Sequence, residues 1–161
     1  MQSRPVLVAA LAALGLLAIS AALFWPASEE ERLRRATLAV LACPGFDTPA
    51  PSLLPYVAHV ERCLSETVAE PVHIVVPEAG GTLPSTAAEL ARAAAPLVLT
   101  RSAFQVDVLD LDVKVSPPEV VAQVRVDLGD REWDGERTLR LAFVKRDGEF
   151  LLREVIATRP E

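Results

Sequence analysis

Residues 120–156 read VVAQVRVDLGDREWDGERTLRLAFVKRDGEFLLREVI, and their alternation decides the fold. Val120, Ala122, Val124, Val126 and Leu128 alternate with Val121, Gln123, Arg125 and Asp127; Leu139, Leu141 and Phe143 alternate with Arg140, Ala142 and Val144. A period of two marks strands with one buried face. Asp147-Gly148 separates the second run from Phe150–Ile156. A two-residue Asp-Gly between such runs predicts a hairpin, because a type I′ turn needs positive φ at both central positions. The C-terminal part is therefore a three-stranded meander, and the upstream chain must anchor or cover it.

Working backwards from the meander, Phe104–Val115 is a fourth strand. Its apolar positions change phase between Val108 and Leu109, which predicts a β-bulge there and a bend in the sheet. Thr86-Ala87-Ala88-Glu89 is a capping box opening an alanine-rich helix to about Leu97. Ser28-Glu29-Glu30-Glu31 is another, opening a helix whose Leu33, Ala36, Thr37, Val40 and Leu41 share one face. Arg34 and Arg35 lie four residues after Glu30 and Glu31, so this basic cluster reads as a solvated helix face with i,i+4 ion pairs. Pro44-Gly45 stops that helix. A second helix runs from Ser52 to about Val68 with Leu53, Val57, Val60 and Leu64 inward, and Pro71 closes it. Val72–Val76 is a short strand and Pro77–Pro84 a loop. The expected fold is α+β, with order α-α-β-α-β-β-β-β over residues 28–161 and a curved antiparallel sheet packed on helices as a cone.

Ahead of that domain, Val6–Trp25 is free of charge and long enough to span a bilayer as a helix, with Trp25 at the interfacial position. Residues 1–27 are thus a signal anchor or a cleaved signal peptide. Ser20-Ala21-Ala22 offers small residues for cleavage, but Leu23-Phe24-Trp25-Pro26 reads as a membrane exit. A count of Lys and Arg across the span favours an inward domain; Glu29–Glu31 and the short N-terminal segment favour export, which is the expectation adopted. The protein is then a single-pass inner-membrane protein whose C-terminal domain is extracytoplasmic.

Of the 161 residues, 22 are acidic and 16 basic, with only two lysines, Lys114 and Lys145. That balance argues against a nucleic-acid partner, which needs clustered positive charge. His59 and His73 are the only histidines, and no metal spacing, phosphate loop, dinucleotide fingerprint or nucleophile elbow occurs. No cofactor is implied. Cys43 and Cys63 are the only cysteines. In an exported domain they are candidates for one disulfide. A tight antiparallel helix pair, however, would leave Cys63 about three turns from Cys43, out of bridging range, so that only a long returning loop joins them. Tyr56 and His59, one turn apart, can point together into a cone, with Trp133 at the tip between two strands covering its mouth. The alternatives are a helix flank and a capped sheet edge. Asp110, Asp112 and Lys114 lie opposite Leu109, Leu111 and Val113, as a solvated sheet face does.

The element order over Glu29–Thr158, with the ending Leu139–Val155 built around Lys145-Arg146-Asp147-Gly148, resembles the nuclear transport factor 2-like superfamily of cystatin-like cones. An anchor before such a domain is similar to bacterial envelope proteins, including inner-membrane scaffold subunits of type IV secretion systems. The resemblance implies either a non-enzymatic interaction or scaffold domain, with a homodimer or envelope protein as partner, or a small-molecule binder or isomerase or cyclase-type enzyme working in the cone. Isomerases of the superfamily use an Asp base with a Tyr and a protonated acid, and no residue here matches that set. The first reading is the one expected.

Overall fold

The computed structural model describes residues 26–77, 81–129 and 135–158. In chain order its elements are α1 (Glu29–Ala42), α2 (Leu53–Thr67), β1 (Val68–Val76), β2 (Gly81–Ser85), α3 (Ala87–Thr100), β3 (Asp107–Ser116), β4 (Glu119–Asp127), β5 (Glu136–Arg146) and β6 (Glu149–Thr158). Asp147 and Gly148 take positive φ values of 51° and 84°, and Arg146 pairs with Glu149 across them. The Asp-Gly hairpin therefore forms where the alternation places it.

All six strands make one sheet, ordered β2-β1-β6-β5-β4-β3. Two expectations are corrected here. The sheet is mixed, because β1 runs parallel to β6 while the other pairings are antiparallel. The order is α-α-β-β-α-β-β-β-β, because the expected loop contains β2, whose Gly81–Ser85 pairs with Val72–Val76. A Gly and a Pro in five residues hide this strand; Pro84 is tolerated because β2 is an edge. β1 also starts at Val68, straight out of α2. Pro71 lies in a register irregularity between the Val68↔Leu152 and His73↔Glu154 pairs, where a missing N–H is least disruptive. The bulge predicted from the phase change is present, as a register shift between Val108 and Asp110.

Registers place Leu83, Ile74, Val155, Leu141, Ala122 and Val113 in one cross-strand row through all six strands. Leu141 and Ala122, mid-row, are sealed in the core, whereas Leu83 on the edge is 66% exposed. The helices cover this face. α1 buries Leu33, Thr37 and Val40, α2 buries Tyr56, Val60 and Leu64, and α3 buries Ala87, Ala91 and Val98. The α2 stripe differs from the expected one: Leu53 is exposed and Tyr56 takes the inward position. Thr37 is satisfied by donating to the Leu33 carbonyl at 2.9 Å, so its burial leaves no unpaired hydroxyl.

Both capping boxes hold at their first bond. Ser28 Oγ accepts from Glu31 N at 3.1 Å. Thr86 Oγ1 accepts from Glu89 N at 3.2 Å, and Glu89 Oε2 accepts from Thr86 N at 2.8 Å. Thr86→Ala should cost about 1 kcal/mol in urea unfolding, with Thr86→Ser recovering most of it. Of the two expected ion pairs on α1, Glu31–Arg35 forms at 3.0 Å. Arg34 donates instead to the Leu111 carbonyl at 3.3 Å, tying α1 to β3. At the start of α1, Glu29 pairs with Lys145 and Arg32 donates to the Gly148 carbonyl, so the helix entrance is fastened to the β5–β6 turn. No helix among the described residues is long and apolar enough to cross a membrane; the expected span, residues 6–25, lies outside them.

Candidate functional site

Curvature of the sheet and the three helices leave a cavity of about 260 Å³ inside the cone. Its walls come from the end of α1 (Val40, Leu41) with Pro44, from α2 (Val60, Leu64) and α3 (Leu90, Ala94), from β1 (Val68, Val72, Ile74), from Val106, and from β6 (Leu152, Val155). The helical contributors are pairs at i,i+1 or i,i+4 on inward faces, which is how a helix presents apolar surface to a sheet. Every one of these side chains is apolar and none titrates. A hydroxyl or amide brought into this space finds no side-chain partner, and burial without one costs about 2–7 kcal/mol.

The residues singled out from the sequence lie elsewhere. Tyr56 does not reach the cavity. It is 2% exposed, its hydroxyl donates to the Pro44 carbonyl at 2.9 Å, and its ring meets Phe46 edge-on at 5.3 Å. Burial pushes its phenol above the ordinary 10.0. Phe46 is held in turn by reciprocal backbone bonds with Phe104 at 2.8 and 2.9 Å. Tyr56 is thus a structural pin between α2 and the connection after α1. His59 is exposed on the outer side of α2, so the pair does not converge. Trp133 lies outside the described residues. Phe104, Phe143 and Phe150 are buried in the core yet none of them fills the cavity.

Cys43 and Cys63 are joined in a disulfide with Cα atoms 5.7 Å apart. The tight-hairpin geometry that argued against the bond does not apply. The connection from Pro44 to Ser52 swings out to pair with Phe104 before α2 begins, and the returning helix passes Cys43 at Cys63, in its later half. The bond stands beside the cavity, since Val40, Leu41 and Pro44 flank Cys43 and Val60 and Leu64 flank Cys63.

The opposite face of the sheet carries an ion-pair bridge. Glu119 accepts from Lys114 at 3.2 Å and from Arg140 at 3.0 Å. The Lys114 ammonium, then the Arg140 guanidinium, hold its carboxyl below the ordinary 4.5. Lys114→Ala should therefore raise the Glu119 pKa toward 4.5, read by NMR titration of its side-chain carboxyl. Asp110 and Asp112 are exposed on β3, and the Asp110 carboxylate accepts from Leu111 N at 3.0 Å. Among the described residues no group of three His, Cys, Asp or Glu side chains is placed to hold a metal ion.

Proton transfer needs an acid or base within about 2.6–3.2 Å of the reacting atom. Among the described residues the cavity walls supply no such side chain; what they present is apolar surface. No sequence signal marks the cavity itself; its walls read as ordinary core stripes, and only the packed structure shows the space between them.

Sequence comparison finds no matching family model and no curated relative. Solved structures do match in fold. A candidate ketosteroid isomerase from Parabacteroides distasonis superposes with a TM-score of 0.53 at 12% identity, covering 83% of this chain and 89% of that one. An NTF-2 like protein of unknown function from Pseudomonas aeruginosa gives 0.53 at 16% identity, covering 80% and 95%. At such identities the likeness speaks to fold alone: the described residues share an α+β cone fold with these two structures.

Proposed function

We propose that this chain is a membrane-anchored, non-enzymatic domain of the bacterial envelope that works by binding. The observation that carries this is the composition of the cavity wall, which holds no group able to give, take or attack. The apolar run 6–25 supports the anchor. The disulfide supports export, because such bonds persist in oxidising compartments. A scaffold role draws on the outer sheet face, which no helix among the described residues covers and where the Lys114–Glu119–Arg140 bridge lies. A homodimer or an envelope protein would dock there. Crosslinking in native membranes through a photoreactive residue at position 123 should capture a second copy or an envelope protein; a strictly monomeric product without a partner overturns the scaffold role.

The cavity favours a second component of the same reading. A preformed apolar space with few polar groups is the usual form of a ligand site, and here it binds without catalysis. An isomerase or cyclase would need a base that the wall lacks. Turnover of a steroid or polyketide substrate by the purified chain, abolished by a wall substitution such as Val60→Asp in a protein that still folds, would contradict the non-enzymatic assignment.

A further inference from the structure

We infer that the cavity holds the hydrocarbon chain of a single-chain amphiphile, whose polar head stays in solvent beyond Leu83. This rests on the ligand-holding reading above and names its ligand class.

Three observations converge on it. First, the wall offers no side-chain partner to a polar or charged group, so whatever part of the ligand enters must be hydrocarbon. A peptide is excluded by the same rule, since its backbone amides would go unsatisfied. Second, the volume of about 260 Å³ is less than twice that of a cavity of about 150 Å³ that takes benzene, which sets the occupant at roughly ten carbons. Third, the wall is sealed on one side and open on the other. Val60, Val72 and Leu152 are buried, whereas Ile74, Leu90, Ala94 and Val155 are half-buried.

The open side has a direction. Ile74 pairs with Val155 on one flank and with Leu83 on the other, so these three side chains stand on the same sheet face in one row. Leu83 is 66% exposed on the edge strand. The apolar track of the wall therefore runs out along this row to solvent and stops there. A compact, rigid molecule would fill the cavity without touching Leu83. A chain longer than the cavity would lie across it, and its head would leave the protein at the edge.

The test uses the full chain in lipid nanodiscs, with empty discs as the blank for partitioning. Binding of n-alkyl carboxylates from six to fourteen carbons, and of naphthalene as a compact probe, is measured calorimetrically. Affinity should rise roughly fourfold per methylene while the chain still enters the cavity. The gain per methylene should then shrink beyond about ten carbons, where the chain leaves the cavity and lies over the exposed Leu83, with naphthalene weaker than the decyl chain. Leu83→Asp, a surface change that leaves the core intact, should weaken the twelve-carbon probe about tenfold and leave the six-carbon probe unchanged. Ala94→Phe, checked for folding by circular dichroism, should abolish binding of all of them.

If naphthalene binds as tightly as the decyl chain and Leu83→Asp is indifferent, the amphiphile class is overturned while ligand holding survives. If no probe binds the folded wild-type chain above the blank, ligand holding itself fails, and the inference with it.

Discussion

Tyr56→Ala should destabilise the domain by about 3–5 kcal/mol, the range for removing a large buried aromatic. The side chain is almost wholly inaccessible and anchors the connection after α1 in two ways. Its ring supports Phe46, and its hydroxyl satisfies the Pro44 carbonyl. Alanine leaves both a void and an unpaired acceptor. Tyr56→Phe separates these effects: the ring stays, so the loss should fall to about 1 kcal/mol, the net worth of one hydrogen bond. A pH test follows from the raised phenol pKa. The unfolded chain ionises at its ordinary value while the folded protein still holds the proton. The stabilisation is therefore complete below that value and is lost as pH rises through the folded one. Urea midpoints measured across this alkaline window should fall more steeply for the native protein than for Tyr56→Phe. Parallel curves would show that Tyr56 is not the buried group the structure makes it.

The same residue shows where a sequence reading reaches its limit. Helical spacing nominates Leu53, Val57, Val60 and Leu64 for α2, and the last two are indeed core. In the first turn of α2, however, Leu53 is exposed, and Tyr56 is the first inward residue. Tyr56 and His59 are one turn apart in any helix, but which side faces the cone depends on packing that spacing does not contain. Local signals fared better where one local rule governs the outcome. Asp147-Gly148 needs only its own backbone preference, and the shift at Val108 and Leu109 is written in side-chain alternation. β2 failed for the opposite reason: Gly81–Ser85 has little strand propensity, and its pairing is supplied by β1. The cavity was beyond reach in principle, because Val60 or Leu90 reads identically whether it meets another side chain or empty space.

Those packing effects meet at the disulfide, whose removal is the second large change expected. Cys43 and Cys63 are separated by 20 residues, and closing a loop of that size restricts the unfolded chain by about 3 kcal/mol. Cys43→Ser with Cys63→Ser should lower stability by that amount and the melting temperature by roughly 10 °C. The bond also joins two stretches of cavity wall, Val40–Pro44 and Val60–Leu64, so the double variant should weaken apolar probe binding more than its loss of stability alone explains. The cysteines further report the side of the membrane. In intact cells the wild-type thiols should resist alkylation until a reductant is added, since an exported domain keeps the bond. Free alkylation without reductant would place the domain on the reducing side and overturn the proposed orientation. It would leave the fold untouched, because the sheet and the Tyr56 pin hold the helices by contacts independent of the bond.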